Sequence, residues 1–267
     1  MSQERELREI AQRIRLDIIE AGFHSKSSAH FGGCLSLVEI LTALYFKIAN
    51  ITTGPKRDRV ILSKGHGALA LYATLYERGL ISREQLFSFE ANGSEFIAHA
   101  HRNIDLGLEF SGGSLSLGIS FGMGVASALK IKNLKNQVYI ILGDGELNEG
   151  LVWESLMFCN HRHLNNVTVI VDCNGLQIDG KTVDVMNITP LKEKFDSFGF
   201  HTEEVHGHDI DMLCDTLSHY SNSPRAIIAH TKKGFGVSFM ENNPKWHYKG
   251  LTENKYKKAI QEIKGDE

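Results

Sequence analysis

Short uninterrupted apolar runs alternate along this chain with stretches in which apolar residues recur every three or four positions. The short runs are Arg59-Val-Ile-Leu62, Val138-Tyr-Ile-Ile-Leu142, Val167-Thr-Val-Ile-Val171 and Arg225-Ala-Ile-Ile-Ala229. They are rich in β-branched residues and end in polar, glycine-bearing turns, so they read as buried strands. Leu7, Ile10, Ala11, Ile14, Ile18 and Ile19 within residues 3–22 predict an amphipathic helix packed on the sheet. Leu37, Ile40, Leu41, Leu44 and Tyr45 mark the next helix, which Ser36 could cap. Ala68–Arg78, the small-residue run Ile119–Leu129 and Trp153–Asn160 read as further helices. Phe195–Val205 holds a helix end and a short strand, and Asp209 can cap the helix after it. The segments His24–Ser36, 82–110, 178–190 and Phe239–His247 are predicted as loops, with a turn at Asp179-Gly180. From Thr252 the tail spaces Tyr256, Ala259, Ile260 and Ile263 helically and is otherwise solvated charge.

Strands alternating with helices in this way predict an α/β fold with a doubly wound parallel sheet of about five strands. The clearest unit is strand, turn, helix, strand from Val138 to Val171, a crossover between parallel neighbours. Most of the unusual polar residues fall at strand carboxyl ends, the edge where open α/β sheets bind ligands. Asp144 sits in Gly143-Asp144-Gly145-Glu146 and Asn174 in Asp172-Cys-Asn174-Gly175. Lys64 and His66 sit in Ser63-Lys64-Gly65-His66-Gly67, and another polar glycine turn runs from His230 to Gly236. Gly143 and Gly145 allow close backbone approach and leave amides for phosphate oxygens. A carboxylate and a carboxamide oxygen brought together suit Mg²⁺, which completes its shell with a carbonyl, water and phosphate. The competing interpretation is a tight turn followed by an unrelated asparagine; the spacing of Asn174 favours the metal–diphosphate site. His66 could equally be a helix-start residue. The loop Phe110–Gly118, entering a helix, could receive a cofactor ring or an anion. His206 and His208 are disfavoured as a metal pair, and His161 and His163, two apart on a helix, point in different directions.

Composition narrows the class without changing this picture. A chain of 267 residues with a net charge of −3 offers no electrostatic case for nucleic acid or an anionic membrane. Four cysteines show neither CxxC nor zinc spacing and read as reduced thiols of a cytoplasmic protein. No apolar run approaches membrane length, and the start is charged helix rather than a signal segment.

The stretch GDGELNEG at 143–150, with DCNGLQIDG at 172–180, closely resembles the thiamine diphosphate motif of transketolases. The resemblance extends over nearly the whole chain, to the family's N-terminal half in its split form. It implies that residues 1–267 form a single thiamine diphosphate-binding domain, with 249–267 a charged helical tail. Asp144, Asn174 and the carbonyl of Leu176 are the implied Mg²⁺ ligands. Gly145, Glu146, His66, Lys233 and His247 are implied cofactor contacts, and Gly113 and Leu115 backbone contacts to the aminopyrimidine. Lys64 matches a basic residue near the active-site channel. The implied catalytic set is His30, His66, His99 and His247, histidines of near-neutral pKa that donate to the donor sugar's oxygen and move its proton. The cofactor's carbanion attacks a ketose carbonyl, so charge on that oxygen must be stabilised.

Two departures bear on substrate. Ala98-His99-Ala100 stands where the family writes GHP, and Gly113-Ser-Leu-Ser116-Leu117-Gly118 where it writes GSLGQG. We expect cofactor binding to survive and the sugars to differ from the usual pentose and triose phosphates. The glutamate that activates the pyrimidine belongs, in the family, to the following domain, beyond where this chain stops. Glu149 is expected at a dimer interface instead. A partner C-terminal subunit is therefore expected, in a dimer of heterodimers. Rival identities are half of another thiamine enzyme, such as deoxyxylulose phosphate synthase or a 2-oxo acid dehydrogenase alpha subunit, and a non-catalytic thiamine diphosphate-binding subunit. A nicotinamide dehydrogenase fits poorly, since GxGxxG does not follow the first strand.

Overall fold

The computed structural model describes residues 3–52, 54–178 and 180–265. Helices α1 (Gln3–His24), α2 (Phe31–Leu35) and α3 (Val38–Ala43) precede strand β1 (Arg59–Leu62). Then come α4 (Ala68–Glu77), α5 (Arg83–Phe87), α6 (Leu117–Ile131), β2 (Val138–Gly143), α7 (Gly150–His161) and β3 (Val167–Cys173). The chain continues with α8 (Thr182–Val185), α9 (Leu191–Ser197), β4 (His201–His206), α10 (Ile210–Ser218), β5 (Arg225–His230) and α11 (Glu253–Lys264).

The strands form a 5-stranded sheet in the order β1-β2-β3-β5-β4. Every neighbour pair is parallel, and the predicted α/β sheet is what the chain builds. Its registers place Gly143 beside Asp172 and Cys173 beside His230, so three turns leave the sheet at one level. Although β2 is apolar throughout, its alternating side chains divide between two cores. Tyr139 and Ile141 join the core under α1, α3, α4 and α10, whereas Val138, Ile140 and Leu142 join the one under α6, α7 and α9. This is why a run without polar alternation marked a strand covered on both faces. Fully burying each Ile or Leu contributes about 1.5–3 kcal/mol, and Ile14, Ile18, Ile140, Ile141 and Leu142 are all 0 % exposed. Helix α11 packs on α1 through Ala259 and Ile263, with Tyr256 stacked on Phe23 at 4.2 Å.

Departures from the sequence expectations are local. The predicted loop at 24–36 contains α2, because Phe31, Cys34 and Leu35 are all buried in the core. Ser36 caps nothing: its hydroxyl donates to Asp172 (2.6 Å), and Leu37 is the residue ahead of α3. Segment 82–110 holds α5, started by a capping box in which Ser82 and Gln85 exchange hydrogen bonds. Segment 178–190 holds α8, and Phe239–His247 holds a 3₁₀ turn at Pro244–Trp246. His163 lies beyond α7, with φ of 51°, so it shares no helix with His161. Asp209 caps α10 as predicted, accepting from the amides of Asp211 and Met212. The turn predicted at Asp179-Gly180 rests on Asp179, which lies outside the described residues.

At the amino end of β1 a cavity of about 580 Å³ is lined by Tyr45, Arg57, Arg59 and Asp105 among others. Arg57 there pairs with buried Glu109, and Asp58 accepts from the amides of Asn50 (2.9 Å) and Gln137 (2.7 Å).

Candidate active site

Strands β2 and β3 deliver Asp144 and Asn174 to one place. The amide of Asp144 donates to the carbonyl of Asp172 (3.2 Å). The Asp144 carboxylate accepts from the amides of Gly145 (2.9 Å) and Gly175 (2.7 Å) and from the Thr182 hydroxyl (3.1 Å). The two turns are thus laced together through that carboxylate, which is 3 % exposed. Burial raises its pKa above the ordinary range, and the nearby charge of Asp172 adds to the effect.

Asp172 lies beneath them, 0 % exposed, and accepts from Lys64 Nζ, Ser36 Oγ, Thr231 Oγ1 and Asn174 Nδ2. Burial alone would raise its pKa; the Lys64 ammonium overrides that and holds it below the usual range. An ionised carboxylate only accepts, so it takes the nitrogen of the Asn174 amide and leaves the oxygen on the other side. That oxygen accepts from the amide of Leu176 (3.2 Å).

The β5 turn brings Lys233, whose ammonium donates to the Leu176 carbonyl (3.4 Å) and to His247 Nδ1 (3.1 Å). Burial and the charge of Lys64 push Lys233 down to about 8, against the pull of Asp144 and Asp172. His30 is central to a histidine cluster, with ring centroids 5.6 Å from His66, 5.4 Å from His99 and 5.3 Å from His247. Backbone contact closes one wall. A Cβ on Gly65 would lie 2.9 Å from the Gly113 amide, so only glycine lets the β1 turn abut the loop that carries Leu115.

These residues line a single cavity of about 360 Å³ at the carboxyl edge of the sheet. His30, His66, His99, His247, Gly113, Leu115, Asp144, Gly145, Glu146, Asn174, Leu176 and Lys233, nominated from sequence, all border it, as does Lys64. Among the described residues no group of three or more His, Cys, Asp or Glu is placed to hold a metal, so any cation there depends on the amide and carbonyl oxygens as well.

The profile of the transketolase, thiamine diphosphate binding domain matches residues 7–265. The chain belongs to the transketolase family. It is 36 % identical to an apulose-4-phosphate transketolase subunit of Actinobacillus succinogenes, over 98 % of this chain and 97 % of that one. It is 37 % identical to the 6-deoxy-6-sulfo-D-fructose transketolase subunit of a Clostridium species, over 88 % of each chain. The crystal structure of transketolase from Campylobacter jejuni superposes with a TM-score of 0.86 at 28 % identity. That match takes in 97 % of this chain but 43 % of the solved one, so this transketolase-family chain spans about two fifths of that enzyme.

Several of these side chains and amides already have partners within the protein. The Gly145 amide is directed at Asp144 rather than into the cavity, because Asp144 caps the turn that follows it. Glu146 is 2 % exposed, and its carboxylate accepts from Ser63 Oγ and from the amides of Ser116 (2.8 Å) and Gly143 (3.2 Å). Its partners are thus protein groups, of which only Gly143 borders the cavity. Lys64 likewise spends its ammonium on Asp172 and the Gly33 carbonyl (3.2 Å). His30, His66 and His247 are not near-neutral titrators. Burial first, then nearby cationic and histidine side chains, drive His30 down to about 3, His247 to about 4 and His66 well below the ordinary value. At pH 7 these rings are neutral.

Ser116 takes φ of 69°, a left-handed conformation that a glycine would adopt without strain. A hydrogen bond from its backbone N–H to the Glu146 carboxylate holds it there. Leu117 is 48 % exposed and does not line the cavity. Sequence reasoning passed over Asp172 and Gln177. Asp172 was legible, since residues i and i+2 of an extended segment share a face and Asp172 precedes Asn174 by two. Gln177 gave no signal beyond its place in the turn.

Proposed function

We propose that this chain is the thiamine diphosphate-binding subunit of a two-chain transketolase, moving a two-carbon ketol unit from a ketose donor to an aldose acceptor. The convergence of buried Asp144, oriented Asn174 and the histidine cluster on one cavity carries this reading. The donor set fits the cofactor's cation: carboxylate, carboxamide and the Leu176 carbonyl are all hard oxygens, as Mg²⁺ requires. A cation would also relieve the crowding of Asp144 and Asp172. Lys233 stands beside that position and would balance the diphosphate's remaining charge. When bound, thiamine diphosphate supplies the carbon nucleophile that adds to the donor carbonyl. The chain's own contribution is to hold neutral imidazole N–H groups where charge grows on the sugar oxygen. A neutral donor held at the cavity mouth stabilises that charge without reorganisation.

Relatives of matching length that are named as transketolase subunits support a second, C-terminal subunit, in a dimer of heterodimers. Their names also support donors beyond the common pentose phosphates. The test is ketol transfer by the chain alone and after co-purification with the partner, across xylulose 5-phosphate and the relatives' named sugars. Transfer only with the partner, with xylulose 5-phosphate among the poorer donors, is expected. Full transfer by the chain alone would contradict it.

A further inference from the structure

Few buried side-chain polar atoms lack a partner among the described residues, and of these Gln177 Nε2 alone belongs to a residue lining the 360 Å³ cavity. The backbone around it is fixed. The Gln177 amide donates to the Gly180 carbonyl (2.8 Å), and Leu176 bridges Lys181, closing a tight loop. The side chain then lies across the β2 turn: a Cβ on Gly145 would come within 2.8 Å of Gln177 Cγ and 3.6 Å of Nε2. A side chain at 145 would displace that of Gln177.

The glycine amides nearest this point are already committed, Gly145 and Gly175 both to the Asp144 carboxylate. The sequence motif suggests that glycine N–H groups hold the phosphate; here the unsatisfied donor over the turn is a carboxamide. A buried donor left unpaired is unfavourable, so a ligand oxygen that pairs it gains that energy back on binding.

We infer that Gln177 is an anion-binding residue of the site, its Nε2 donating to a phosphoryl oxygen of the diphosphate above Gly145. This rests on the cofactor assignment proposed above.

The test is calorimetric titration of the co-purified enzyme with thiamine diphosphate at fixed Mg²⁺, comparing wild type with Q177A, Q177L and Q177E. Free thiamine is the control ligand. Losing one hydrogen bond to a charged group weakens thiamine diphosphate about tenfold or more in Q177A and Q177L, with free thiamine unchanged. Q177E places a negative charge against the diphosphate and is weaker still. Equal affinities in wild type and variants would overturn the inference, as would an equal loss for free thiamine, which marks a scaffold residue. Tighter binding by Q177E would also overturn it, because the side chain would then be facing the cation through its oxygen. Failure of wild type to bind thiamine diphosphate would instead overturn the cofactor assignment, and this inference with it. If Q177A unfolds, the near-isosteric Q177L and the Q177E comparison decide.

Discussion

The two ends of the sheet carry comparable numbers of charged side chains, and they use them differently. At the amino end, around the larger cavity, Arg57 answers Glu109, Asp58 answers two amides, and Asn136 answers the carbonyls of Pro55 (3.0 Å) and Arg57 (2.7 Å). Those groups stitch the entry to β1. At the carboxyl end the smaller cavity holds a carboxyl pushed up, a lysine pushed down to about 8, and His30 and His247 held neutral first by burial and then by neighbouring charge. Cavity size would have chosen the wrong end. What marks the smaller one is that side chains from several sheet-end turns converge on it, an unpaired carboxamide nitrogen of Gln177 among them, and perturbed, convergent groups are the mark of a site.

Experiments that break a charge at each end sharpen this contrast. Lys64→Met strands Asp172 in the core and is expected to destabilise the chain by about 3–5 kcal/mol in urea denaturation. Arg57→Met leaves Glu109 near Arg59 (3.7 Å) and should cost about 1–3 kcal/mol, with cofactor affinity unchanged. A loss of affinity from Arg57→Met alone would erase the distinction between the two ends.

Asp144→Asn comes next. It keeps the size of the side chain and removes the charge that a cation would meet. Thiamine diphosphate affinity at fixed Mg²⁺ should fall by about a hundredfold, at the upper end of what even outer partners of a metal ligand contribute. Asp58→Asn at the other end should leave calorimetric affinity unchanged.

Lys233 gives a smaller, pH-dependent effect. Its ammonium is charged below about 8 and neutral above, so affinity for an anionic diphosphate should decline as pH rises through 8. The decline is at most about tenfold per pH unit, the limit for one proton. In Lys233→Met the decline should vanish, and its persistence would assign it elsewhere. The smallest signal is spectroscopic. With folded values of about 3 and about 4, the ring protons of His30 and His247 should not shift in NMR spectra between pH 7.5 and 5.5. A midpoint near 6.5 for either would restore the proton-shuttle role.

The fold was legible because strands covered on both faces must be apolar at consecutive positions, and β1, β2, β3 and β5 are such runs, each ended by a polar turn, whereas edge strand β4 alternates and showed only as a short strand after a helix end. The lining of the site was legible because those turns share one sheet edge. Residue roles were less so. Motif spacing could not show that the Gly145 amide faces its own neighbour, nor that burial silences the histidines, since both depend on atoms brought in from elsewhere. The short helices α2, α5 and α8 were missed for a related reason. They are held by caps and by contacts distant in sequence, rather than by a periodic face long enough to read.

The central claim is that Asp144 and Asn174 hold a divalent cation against the diphosphate. The most direct measurement substitutes Mn²⁺ and follows the ³¹P resonances of thiamine diphosphate mixed with the enzyme. Strong broadening of both phosphorus signals that is lost in Asp144→Asn is the predicted result. Binding of the diphosphate with the same affinity in excess chelator, or broadening that survives Asp144→Asn, would contradict it.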